Sequence, residues 1–138
     1  MAVQKSYSID ILAKLERDFP NFKFKFGKKF LFRPPRTIVV SPDEPFCELL
    51  LLHEVSHAIL GHKNFKTDID RLRMESEAWE KAEEMAVIYN VEFNEDFVQG
   101  ELDTYRDWLH KKSRCPKCGL TRFQDANGYH CPRCENLI

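Results

Sequence analysis

Leu49-Leu50-Leu51-Leu52 runs directly into His53-Glu54-Val55-Ser56-His57-Ala58-Ile59-Leu60-Gly61-His62, and no other stretch limits the possible folds as tightly. Its length and its apolar character on both sides of the polar residues call for a buried helix. Residues four apart share one face of a helix, so His53 and His57 present two imidazoles to a single point. Buried ring nitrogens need partners, and a metal ion is one. Glu54, one residue past the first histidine, stands beside that point without being a ligand. His-Glu-x-x-His on a helix is a zinc-binding pattern in which the carboxylate takes a proton from an activated water. A zinc ion held by His53 and His57, with Glu54 as catalytic base, is therefore expected.

The chain has 138 residues, 43% of them apolar, which suits one compact body and a small appendage. It contains no apolar run of membrane-spanning length, and Lys5, Asp10 and Lys14 interrupt what would be a signal-peptide core, so a cytoplasmic location is expected and no membrane partner. The net charge of −1 conceals an asymmetry. Residues 1–40 hold nine Lys/Arg against three Asp/Glu, residues 41–99 five against fourteen, and residues 100–138 seven against five. The basic N-terminal part could meet nucleic acid or an acidic partner, or be the solvated outer face of a sheet.

Four of the five cysteines form Cys115-Pro116-Lys117-Cys118 and Cys131-Pro132-Arg133-Cys134. Two such pairs, separated by a segment containing Phe123, Asn127-Gly128 and Tyr129, read as a zinc ribbon: a hairpin with aromatic cover over the metal. Four thiolates leave no open coordination position, so this second zinc ion is structural. Cys47 reads as a small buried thiol, and His110 and His130 as spectators. Lys111, Lys112, Arg114, Lys117, Arg122 and Arg133 could offer the ribbon to nucleic acid or a protein; equally, the ribbon could simply seal the C-terminus.

Between these motifs the chain reads as an α+β fold. A helix capped by Ser6 or Ser8 runs to about Asp18, with Ile9, Leu12, Leu15 and Phe19 on one side and Pro20 ending it. Phe22-Lys23-Phe24-Lys25-Phe26 alternates as a strand with its phenylalanines toward a core. Further strands are expected at Phe30–Phe32 and Thr37–Val40 around a Pro34-Pro35 loop, giving a small, mostly antiparallel sheet packed on helices. Ser41 to Pro45 should open the motif helix and Gly61 close it. A long helix capped at Thr67 and Asp70 reaches about Asn90 through Leu72, Trp79, Ala82, Met85, Ala86 and Tyr89. Another begins near Asn94 and carries Phe97, Leu102, Tyr105, Trp108 and Leu109. The expected division is a metallopeptidase domain of the zincin type over 1–112 and a ribbon module over 113–138.

A catalytic zinc site needs a third protein ligand and one open position. His62, five residues beyond His57, rotates away from the histidine face if the helix continues, and fits better as a polar neighbour. Glu75 and Glu77 are acidic candidates on the next helix, and being two residues apart they cannot face the same way. Glu77, next to the small Ala78 that allows helices to approach closely, is the first choice and Glu75 the alternative. His62 and Tyr89 are candidate donors to a developing oxyanion.

Residues 52–62, followed by Glu75-Ser76-Glu77-Ala78, resemble the ImmA/IrrE group of zinc-dependent peptidases, whose pattern is close to HElgHxxLGH and then E-x-E-A. The resemblance covers about residues 30–90. It implies His53, His57 and Glu77 as zinc ligands, Glu54 as general base, and a protein substrate such as a transcriptional repressor or other regulator. The chain departs from the group at Trp79-Glu80-Lys81, where F-A and an apolar L-L-M-P end are usual, in lacking a helix-turn-helix, and in its cysteine pairs. The expected function is peptide-bond hydrolysis. Two alternatives stand beside it: a zinc-containing regulator without activity that binds DNA or a protein, and a DNA-associated protease of the SprT type, against which the lack of any histidine between His62 and His110 argues.

Overall fold

The computed structural model describes residues 11–135; the expected capping serines Ser6 and Ser8, and Ile9, lie outside these residues. Helix α1 occupies residues 11–18 and buries Ile11, Leu12 and Leu15. Strands β1 (Lys23–Phe26), β2 (Leu31–Arg33) and β3 (Thr37–Val40) follow, then helices α2 (Cys47–Ile59), α3 (Asp68–Tyr89) and α4 (Glu95–Ser113), and finally strands β4 (Phe123–Asp125) and β5 (Gly128–His130). The fold is α+β, as the hydrophobic periods predict.

β3 carries the most apolar strand sequence and takes the centre of the three-stranded sheet, in the order β1-β3-β2. β2 pairs antiparallel with β3, and β4 with β5, whereas β1 runs parallel to β3 with Phe24 opposite Ile38, so two of the three pairings are antiparallel. Ile38, Val39 and Val40 supply the buried face. The expectation that all three phenylalanines of the first strand point to the core is corrected: Phe22 and Phe24 are half-buried and Phe26 is exposed. β1 is an edge strand, with β3 as its neighbour on one side only. Gly27 follows it because a Cβ at that position would lie 2.6 Å from Val39 Cγ1.

Helix α2 starts later than its preceding prolines suggest. Residues 42–46 form turns, and Phe46, left-handed at φ 59°, separates them from the first helical residue, Cys47. Leu49, Leu51, Leu52 and Val55 are fully buried, and burying each such side chain contributes roughly 1.5–3 kcal/mol. The other end is as expected: Gly61 adopts φ +69°, its N–H donates to the Ala58 carbonyl, and the His62 N–H donates to the His57 carbonyl. These paired bonds are the Schellman closure that a left-handed glycine permits.

Two compact units emerge, residues 1–63 with 77–93, and residues 64–76 with 94–138. In the first, α3 contributes Ala78, Trp79, Ala82, Met85 and Ala86 to the core on one helical stripe. Asn90 closes α3 in a left-handed conformation, with the Val91 N–H donating to the Ala86 carbonyl.

In the second unit, the Asp70 N–H donates to Thr67 Oγ1 at the start of α3, and the Phe97 N–H to Asn94 Oδ1 at the start of α4. Asp68 is buried and accepts from Tyr129 Oη (2.6 Å) and Lys112 Nζ (3.0 Å). Tyr129, expected as aromatic cover for the cysteines, is half-buried with its hydroxyl held by Asp68, while Phe123 is exposed beside His130. Burial alone would raise the Asp68 pKa, but the bonds from Tyr129 and Lys112 outweigh it and hold the carboxyl below its ordinary range. The same burial, together with the bond to Asp68, pushes the Tyr129 hydroxyl up to about 12.

Candidate metal centres

The helical period places His53 and His57 one turn apart on α2, both buried. Aromatic neighbours set their ring planes. Trp79 stacks on His53 at 4.0 Å between centroids, 8° from parallel, and Phe32 of β2 lies 5.9 Å from His57 and 5° from parallel. Neither aromatic was singled out for the site from sequence, although Trp79 lies within the acidic segment already considered. Glu54 is buried beside the first histidine, its Oε2 3.3 Å from His53 Nδ1.

Ligand atoms of His53, His57 and Glu75 lie within 4.8 Å of one another, a grouping that could hold a metal ion. Two imidazole nitrogens and a carboxylate oxygen are the donor set of a three-ligand site with an open position, so the residues fit the ion they are expected to bind. Of the two acidic candidates, Glu75 is the one in this grouping. The helical period explains why: Glu75 is three and four residues before the buried Ala78 and Trp79 and shares their face. Glu77 lies about 200° around the helix from Glu75, with its side chain 49% exposed and its Oε1 3.1 Å from His62 Nε2.

His62 is not turned away from His57. The helix does not continue, and the reversal at Gly61 brings His62 Nδ1 to 2.9 Å from His57 Nδ1. Leu60-Gly61-His62 was the signal for this: a left-handed glycine folds the next residue back over the last turn. Tyr89 is engaged elsewhere and is not positioned as an oxyanion donor: it sits fourteen residues beyond Glu75, about 21 Å along α3, and its hydroxyl donates to Asp18 Oδ2 at 2.6 Å.

The second centre is formed by Cys115, Cys118, Cys131 and Cys134, whose sulfurs also lie within 4.8 Å of one another. Cys118 and Cys131 Sγ are 3.5 Å apart, and Cys115 and Cys134 Sγ 3.9 Å. A disulfide requires about 2.05 Å, whereas a tetrahedron of thiolates about 2.3 Å from a metal separates sulfurs by roughly 3.8 Å. The spacing is that of a metal cluster. Backbone N–H groups of Cys118 and Lys117 lower the Cys115 thiol to about 6, and that of Cys134 lowers Cys131, favouring the thiolates that a metal binds. Hydrogen bonding to Cys118 pushes Cys134 up to about 12.

Cys47 is buried at the start of α2. His130 lies between two carboxylates, with Nε2 2.8 Å from Asp125 Oδ1 and Nδ1 3.1 Å from Glu135 Oε1, and these raise its pKa, Asp125 more than Glu135. Two of the basic residues near the cysteines serve the unit itself. Lys112 pairs with Asp68, and Arg122 Nη2 donates to the Lys112 carbonyl at 2.8 Å while its guanidinium lies over the Tyr129 ring. Among the described residues no helix is long and apolar enough to cross a membrane. Comparison of the chain with protein-family models, with curated proteins and with solved structures gave no match.

Proposed function

We propose that the chain is a zinc-dependent hydrolase acting at the cluster of His53, His57 and Glu75. More particularly, it is a metallopeptidase of the ImmA/IrrE kind that cleaves a peptide bond in a regulatory protein such as a transcriptional repressor. The observation that carries this reading is the convergence of two buried histidines and the half-buried Glu75 carboxylate, with the buried Glu54 directly beside His53.

His53, His57 and Glu75 would hold the metal, Glu75 taking the role that the resemblance assigns to Glu77. Zinc, when bound, supplies Lewis acidity that polarises a carbonyl and acidifies water. Glu54 is acceptor-only when ionised and lies off the ligand set, so it takes the proton from the attacking water and returns it to the leaving amine. Trp79 and Phe32 hold the two imidazole planes and exclude water from one side of each. The four cysteines would hold a second, structural zinc ion that folds their hairpin.

The test uses the full-length Glu54→Gln protein as bait in its native cell. It should keep its zinc and retain one or more intact proteins, and the parent enzyme should then cut those proteins in vitro. Recovery of nucleic acid with no protein, or cleavage of the captured protein by Glu54→Gln at the parent rate, would overturn the reading.

A further inference from the structure

Glu77, His62 and His57 form a continuous hydrogen-bonded chain within the first compact unit. Glu77 Oε1 is 3.1 Å from His62 Nε2, and His62 Nδ1 is 2.9 Å from His57 Nδ1. The His62 side chain is only 10% exposed, so protein groups rather than bulk water set its bonding. A contact between two ring nitrogens needs a proton on one of them, and the chemistry of the far end decides which. An ionised carboxylate has no proton to give, so Glu77 requires an N–H at His62 Nε2. In neutral His62 the Nδ1 is then an acceptor, and His57 must donate from its own Nδ1–H. The lone pair of His57 is thereby assigned to Nε2, the nitrogen a metal would need.

We infer that His62 and Glu77 are positioning residues that select this tautomer of His57 and fix its ring. The inference builds on the proposed metal site but concerns residues outside its ligand set. Two local features create the chain: the left-handed Gly61, which folds His62 back over His57, and the half-exposed Glu77, which approaches from α3. With His62 neutral, reversing the order so that it donates from Nδ1 would leave Glu77 facing a bare nitrogen and put the proton of His57 on Nε2. Outer partners of this kind typically change metal affinity by about 10–100-fold when removed.

The experiment uses the full chain with its cysteine-bound metal retained and the histidine site emptied by a mild chelator. Nitrogen-15 NMR of the imidazoles should show His57 protonated at Nδ1 in the parent and shifted toward the Nε2–H form in Glu77→Gln and His62→Phe. Zinc competition should show the histidine site weakened about tenfold or more in His62→Phe and less in Glu77→Gln, with the cysteine site unchanged. Glu77→Asp should recover part of the parent behaviour. A parent His57 protonated at Nε2, or a His62→Phe protein with parental zinc affinity and tautomer, would overturn the inference. Zinc bound only at the cysteines of the parent would instead remove the proposed metallopeptidase, while the tautomer measurement would still decide the role of the chain.

Discussion

A step of two residues along α3 turns a side chain by about 200°, and at Glu75 and Glu77 that rotation separates a residue grouped with His53 and His57 from one bonded to His62. Both glutamates look alike in the sequence, and the nearness of Ala78 favoured Glu77. The decisive clue was the buried stripe through Ala78, Trp79 and Ala82, which Glu75 extends and Glu77 does not. Glu75→Ala should therefore abolish zinc binding at the histidine site, whereas Glu77→Gln should weaken it without eliminating it; chelator competition distinguishes the two. If Glu75→Ala binds as tightly as the parent, Glu75 is not a ligand. Glu54→Gln should keep full zinc occupancy and lower kcat by at least about 100-fold, the lower end of what a positioned acid–base group contributes. Its pH-rate profile should lose one limb as well.

Secondary-structure elements were legible wherever a cap or a period marked them. Asn94, Thr67 and Gly61 each act as their residue types predict, and of the four leucines before His53, Leu49, Leu51 and Leu52 are buried. The path of the chain after Gly61 was harder to see, because extrapolating a helix past its glycine turns His62 the wrong way. The parallel pairing of β1 with β3 was equally hidden, since alternation reveals which residues share a face but not which strand is the neighbour. Two stability tests belong here. Leu52→Ala, at a fully buried position of α2, should cost about 2–5 kcal/mol in denaturant unfolding. Gly61→Ala should cost roughly 1–2 kcal/mol, because a side chain resists the left-handed conformation, and unlike Leu52→Ala it should loosen zinc by displacing His62.

At the level of the whole molecule, each of the two compact units carries residues for metal binding and a distinct means of cohesion. In the second unit the buried Asp68 ties Tyr129 of the cysteine-bearing hairpin to Lys112 of α4. Its pKa is depressed on folding, so its contribution is present above the unfolded value of about 3.9 and is lost as pH falls through the lower folded value. Asp68→Asn should accordingly lower stability at neutral pH by about 1.5–3 kcal/mol, the range for hydrogen bonds to a charged group. The difference from the parent should shrink below about pH 4 in paired thermal melts; an unchanged difference there would dismiss the charge as its cause. The four cysteines that could hold a metal ion were legible in the sequence because all of them come from two short knuckles. The grouping of His53, His57 and Glu75 needed the fold, because Glu75 comes from a different helix. The most direct measurement of the central claim is the zinc content of the purified full-length protein beside His57→Ala and Glu75→Ala. Two zinc ions per parent chain and one in each variant is the predicted result; one zinc in the parent, or two in both variants, would contradict it.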